Sequence, residues 1–153
     1  MTNIEVRGLD EIMQRMRAFP RKLESAVRTT MDAALLTLWE KVPPYPDKPS
    51  PDSYDRTGTL GRTLGSGMSG GIMGSKPDIY DVKKLGQSFE ARFGTTKDYA
   101  PYVIGDDDQA WMHRGRWWTM KVIADRARDK VLRLFDLMGE KLAAFLEGLA
   151  GGV

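Results

Sequence analysis

The sequence predicts an α+β fold, an antiparallel sheet of three to five strands packed against two long helices. Three observations lead there. Pro20–Val42 and residues 118–149 repeat apolar residues at three- and four-residue spacing. Phe89-Glu90-Ala91-Arg92-Phe93 alternates apolar and charged residues, the period of a strand with one buried face. Segments rich in proline (43–57) and glycine (65–74) separate these stretches and read as long loops. The chain has 153 residues, which suits one domain, 1–153.

Taken in order, Asn3-Ile4-Glu5-Val6-Arg7 alternates and meets Gly8, as a short strand does. Asp10 is placed to cap a first helix bearing Ile12, Met13 and Met16. Pro20 then marks the start of a second helix, since proline is tolerated in a first turn. Its stripe runs through Leu23, Val27, Met31, Ala34, Leu38 and Val42, and Pro43-Pro44 stops it. Thr59–Leu64 and Ile79–Val82 read as further strands. In the last helix Met120, Ile123, Ala127, Val131, Leu134 and Met138 begin a stripe that continues to Leu149.

Composition excludes several chemistries. With no cysteine, the chain has no disulfide, thiolate metal site or cysteine nucleophile. No run of apolar residues is long enough for a membrane helix, and the charged start lacks the apolar run of a signal peptide. A net charge of +2 does not by itself mark a nucleic-acid binder. His113 is the sole histidine, near Asp106, Asp107 and Asp108. Successive aspartates point in different directions and lack calcium-loop spacing, so a solvated acidic turn accounts for them better than a metal site. Gly65-Ser66-Gly67 is not followed by the Gly-Lys-Ser/Thr of a phosphate loop. No catalytic residue, metal ligand or cofactor site is expected.

Trp111, Trp117 and Trp118 lie among Arg114 and Arg116. Core packing is the plain reading for Trp117 and Trp118 before a helix, but it explains the arginines poorly. Tryptophan and arginine dominate protein–protein hot spots, and they also bind single-stranded nucleic acid by stacking and phosphate contact. Arg126, Lys130 and Arg133 extend a basic stripe, which is either a solvated face or the lining of a nucleic-acid channel.

Tyr54-Asp55-Arg56-Thr57-Gly58-Thr59-Leu60-Gly61-Arg62-Thr63-Leu64, and later Tyr99-Ala100-Pro101-Tyr102-Val103, follow two N-terminal helices and a proline-rich loop. In that order they resemble the tail-completion, or neck, family of long-tailed bacteriophages. That family commonly carries Thr-Gly-x-Leu-x-x-Ser/Thr-Ile/Leu, then Tyr-Ala-x-Tyr-Val, then a C-terminal helix. After Val103 the chain departs from the pattern, with a longer segment, 104–118, that is acidic and then rich in tryptophan and arginine. The resemblance implies a non-catalytic ring subunit, most simply a hexamer, in the virion neck or tail and made in the host bacterial cytoplasm. Its partners would be copies of itself and neighbouring neck, connector and tail-tube or tail-terminator proteins, with DNA passing through the ring.

On that reading Tyr54, Arg56, Trp111, His113, Arg114, Arg116 and Trp117 are the expected assembly contacts. Arg126, Lys130 and Arg133 are the expected channel residues, and Tyr99 and Tyr102 pack the far edge of the sheet. The alternative is a small nucleic-acid-binding protein using residues 111–118 and the basic helix face. A third reading is an enzyme centred on His113.

Overall fold

A computed structural model describes residues 9–44, 58–66 and 75–150. The element order is α1 (Leu9–Glu40), α2 (Thr59–Leu64), β1 (Ile79–Leu85), β2 (Ser88–Gly94), α3 (Ala100–Ile104), a 3-10 turn (Trp111–His113) and α4 (Met120–Ala150). The class is α+β, with two long helices and one antiparallel pair of strands.

α1 and α4 are the frame, at 32 and 31 residues, or about 48 and 46 Å of helix. They run antiparallel. Phe19, early in α1, stacks on Phe145, late in α4, with ring centroids 6.3 Å apart. Glu40, at the other end of α1, receives Lys130 Nζ at 2.7 Å. The predicted stripes make this contact: Ala34 on α1 and Ile123 and Ala127 on α4 are buried.

One helix replaces the two expected at the N-terminus, because α1 continues through Pro20. Proline removes one backbone hydrogen bond and crowds the carbonyl of Met16, so local preference favours a break there. Packing opposes it. Phe19, next in the chain, stacks on Phe145, and Lys22 Nζ lies 3.9 Å from the same ring centroid. Tertiary contacts outweigh propensity in long helices generally.

Thr59–Leu64 is a helix and not the expected strand. Leu60 and Leu64 share a face in either structure, since a spacing of four fits both periods. The flanking glycines decide it. Gly58 (φ 69°) and Gly65 (φ 75°) are left-handed, ending the helix on both sides within six residues. Gly65 is also a point of close approach. A Cβ there would come within 2.4 Å of Trp39 Nε1, the atom that donates to the Gly65 carbonyl at 2.8 Å. This bond ties α2 to α1.

The expected strands at 79–82 and 89–93 form and pair as one hairpin, with Ile79 opposite Gly94 and Leu85 opposite Ser88. The register leaves Gly86-Gln87 as a two-residue loop, and Gly86 has φ 62°, the glycine-first turn that suits hairpin twist. Among the described residues the sheet has two strands and not three to five. Two strands are marginal alone, and this hairpin leans on α1. Trp39 meets Tyr80 edge-on at 5.5 Å, Lys84 pairs with Glu24, and Arg28 donates to the Val82 carbonyl at 3.4 Å. Burial raises the Tyr80 pKa, with the Asp32 carboxylate adding to it.

Leu60 and Leu64 of α2 pack with Ala100 and Ile104 of α3 as a core cluster, and Val42, Val103, Trp117 and Met120 close around it. The expected strand at Asn3–Arg7 and most of the loops 43–57 and 65–74 lie outside the described residues. Among the described residues no helix is long and apolar enough to cross a membrane.

Candidate functional site

Tyr99 and Tyr102 are expected to pack the far edge of the sheet; the segment Tyr99–Val103 is instead the start of a surface knob. Pro101 occupies the first turn of α3, where its missing N–H costs nothing. Ala100 and Ile104, four apart, face the core cluster and are buried. The same geometry turns Tyr99 and Tyr102 outward, and Tyr102 is 61% exposed. The far edge of the sheet is therefore not where they sit.

Gln109 builds the rest of the knob. It is only 8% exposed, and its Nε2 donates to the Val103 carbonyl at 2.8 Å and the Trp117 carbonyl at 3.0 Å. One side chain thus staples the two ends of the loop from α3 to α4. The Ala110 amide donates to Tyr102 O at 2.8 Å, and Arg114 Nε donates to Gln109 O at 3.2 Å. Gly115, with φ 74°, lets the chain reverse towards α4.

On this scaffold the aromatic residues divide. Trp117 is half-buried against the core cluster. Trp111 is 79% exposed, with Met112 exposed beside it. Trp111, Met112, Tyr102 and Tyr99 leave a large apolar surface on a short, internally tied segment. Arg114 and Arg116 are exposed in the same turn, and His113 is half-buried. Tyr54 and Arg56 lie outside the described residues, so the knob gathers five of the seven expected contact residues.

The acidic run acts locally. Asp106 Oδ1 accepts the Lys121 amide at 2.9 Å and Thr119 Oγ1 accepts the Val122 amide at 3.4 Å, so both cap α4. Asp107 and Asp108 are exposed. Among the described residues no group of three or more histidine, aspartate or glutamate side chains is placed to hold a metal.

Arg126, Lys130 and Arg133 of α4 share one face, spaced four and three apart, but two of them are engaged. The Arg126 guanidinium lies 3.8 Å from the Trp118 ring centroid, and Lys130 is paired with Glu40. Arg133 is exposed. Trp118 and Arg126 line an open cleft of about 400 Å³ with Val42, Pro43 and Pro44 at the end of α1.

Gln109 was not singled out in the sequence, and Tyr99 and Tyr102 were placed at the sheet edge and not on the surface. A lone glutamine after three aspartates carries no signal of burial. Tyr99 and Tyr102, three apart around a proline, did carry one for a helix turn. Compared with known proteins, the chain matches no family model, no curated protein and no solved structure.

Proposed function

We propose that the chain is a structural subunit of the head–tail junction of a long-tailed phage, a ring-forming neck or tail-completion protein that works by contact and catalyses nothing. The observation that supports this most is Trp111. A tryptophan 79% exposed beside an exposed methionine and two exposed tyrosines is costly to leave in water, and Gln109 holds it in place. Rigid aromatic residues with neighbouring arginines are the composition of interface hot spots. Pre-ordering the knob removes part of the entropy cost of binding. On this reading the knob meets a neighbouring copy or the adjacent neck, connector or tail ring, and the subunit resides in the virion with DNA passing through its ring.

The runner-up, nucleic-acid binding through residues 111–118 and the basic face of α4, has less support. Arg126 is stacked on Trp118 and Lys130 is paired with Glu40, which leaves fewer cations for phosphate.

The test is the double variant Tyr102→Ala with Trp111→Ala, placed in a phage that carries the gene. Both side chains are exposed, so the subunit folds, and its incorporation into particles is lost. His113→Ala leaves incorporation unchanged. Normal incorporation of the double variant rejects the contact reading. Salt-dependent binding of DNA by the free subunit, abolished by the same double variant, favours the runner-up.

A further inference from the structure

β2 is the open edge of the hairpin. The two-residue loop makes Leu85 and Ser88 a hydrogen-bonded pair, so β2 bonds to β1 at Ser88, Glu90, Arg92 and Gly94. The N–H and C=O groups of Phe89, Ala91 and Phe93 therefore point away from β1. The same alternation turns Asp78 and Val82 outward on the β1 side, and there they meet partners. The Asp78 N–H donates to Thr63 O at 2.8 Å, and the Val82 carbonyl accepts Arg28 at 3.4 Å. Among the described residues, nothing bonds to the outward backbone groups of β2. Ala91 shares the α1 face with Phe89, which lies under Arg28, yet Ala91 is exposed, as are Glu90 and Arg92. An unpaired strand edge in water is a template for another strand.

We propose that this edge pairs with the same edge of a second copy, antiparallel, across a two-fold axis at Ala91, to give a four-stranded sheet. The sequence of β2 selects that occupant. Phe89-Glu90-Ala91-Arg92-Phe93 reads alike in both directions from Ala91, except that the charge changes sign. Across the axis each Glu90 faces Arg92 of the other copy and each Phe89 faces Phe93, which are favourable cross-strand pairs. The outward backbone groups match as well. Ala91 bonds to Ala91 and each Phe89 to Phe93, about six hydrogen bonds in all.

Charge also fixes the register. Within the hairpin Lys83 stands opposite Glu90, and Asp81 opposite Arg92, whose Nε lies 3.5 Å from Asp81 Oδ1. The pairing extends these contacts into rows of alternating sign across four strands: Lys83, Glu90, then Arg92 and Asp81 of the second copy. The nearest registers that keep the same bonding edge centre on Glu90 or on Arg92, and they set like charge on like. The edge of β1 is less suited to receive β2, because α2 and Arg28 already bond to it. One short strand from each copy makes a small interface, and the pairing is correspondingly weak in dilute solution. The proposal does not rest on the head–tail reading.

Amide exchange of the full chain at rising concentration reads the alternation directly. The amides of Glu90 and Arg92, bonded to β1, are protected throughout. Those of Phe89, Ala91 and Phe93 exchange freely in dilute solution and gain protection as copies pair. Protection of these three that ignores concentration means a cover from within the chain, and no protection at any concentration means no cover; either result overturns the pairing. A charge test addresses the register. Glu90→Lys and Arg92→Glu are made separately and checked for wild-type circular dichroism. Each sets like charges together at two places across the axis, and self-pairing in sedimentation weakens about tenfold. Mixed, the two variants face each other with opposite charges at both places and pair as the wild type does. A mixture that pairs no better than either variant alone overturns the register. Ala91→Pro removes an outward N–H that the hairpin does not use. It keeps the Glu90 and Arg92 amides protected and abolishes pairing; undiminished pairing also overturns the proposal.

Discussion

The two halves of α4 live in different surroundings. Its N-terminal half belongs to a body, with Ile123 and Ala127 buried, the first turn capped by Asp106 and Thr119, and α2, α3 and the knob packed around Met120. Its C-terminal half belongs to a two-helix arm, where none of the side chains described from Leu134 onward is fully buried. The arm is held by the Phe19–Phe145 stack and by Lys22 over Phe145. The same helix, with one unbroken stripe, is thus core at one end and a two-layer contact at the other. Length of an amphipathic pattern does not tell how many layers cover it.

Breaking the body has the largest effect. Ile123→Asp puts an unpaired carboxylate where the side chain is almost wholly buried, and unfolding free energy falls by on the order of 4 kcal/mol. Urea denaturation reads this as a lower midpoint or outright loss of the folded state. A midpoint at the wild-type value means that the two stripes do not meet there. Gln109→Leu comes next. It leaves the Val103 and Trp117 carbonyls without their donor and costs about 2 kcal/mol. The intrinsic fluorescence of the knob tryptophans shifts with it; an unchanged midpoint and spectrum count against Gln109 as the staple.

The fold was legible in the sequence wherever one period dominated. The stripe from Met120 and the alternation at Phe89–Phe93 each admit one reading, and α4 and β2 follow them. Thr59–Leu64 was not legible, because Leu60 and Leu64 satisfy both periods and only the left-handed glycines separate them. Pro20 misled for the opposite reason: the local rule is sound, but the aromatic contact that overrides it lies 126 positions away in sequence, a separation that no local pattern contains. Of the candidate site, the composition of residues 111–118 singled out the segment that carries the exposed Trp111. It could not say that Trp117 faces inward and Trp111 outward, because that division depends on Gln109 and on the core cluster.

Breaking the arm costs less. Phe145→Ala removes the stack and the cation contact, worth about 1 kcal/mol beyond the loss of buried area. Hydrogen exchange then quickens at both ends of the arm and not at Ile123–Val131; equal quickening throughout contradicts the division. Smaller still is Glu40→Gln, which removes the exposed pair with Lys130 at a cost below about 1 kcal/mol that shrinks as salt is added.

Acid acts on the hairpin through Asp81. A hydrogen bond from Lys83, with the nearby Arg92, holds the Asp81 carboxyl below its ordinary value. Its contribution to the hairpin is present above the unfolded pKa and is lost as pH falls through the depressed folded value. Amide shifts of β1 and β2 should move in that acid range and stop moving in Asp81→Asn.

The most direct measurement of a packed body joined to a two-helix arm is residue-resolved hydrogen exchange along α4 in the isolated chain. Protection is greatest at Ile123–Val131 and falls towards residues 139–148. Uniform protection from residue 123 to 148 contradicts the account.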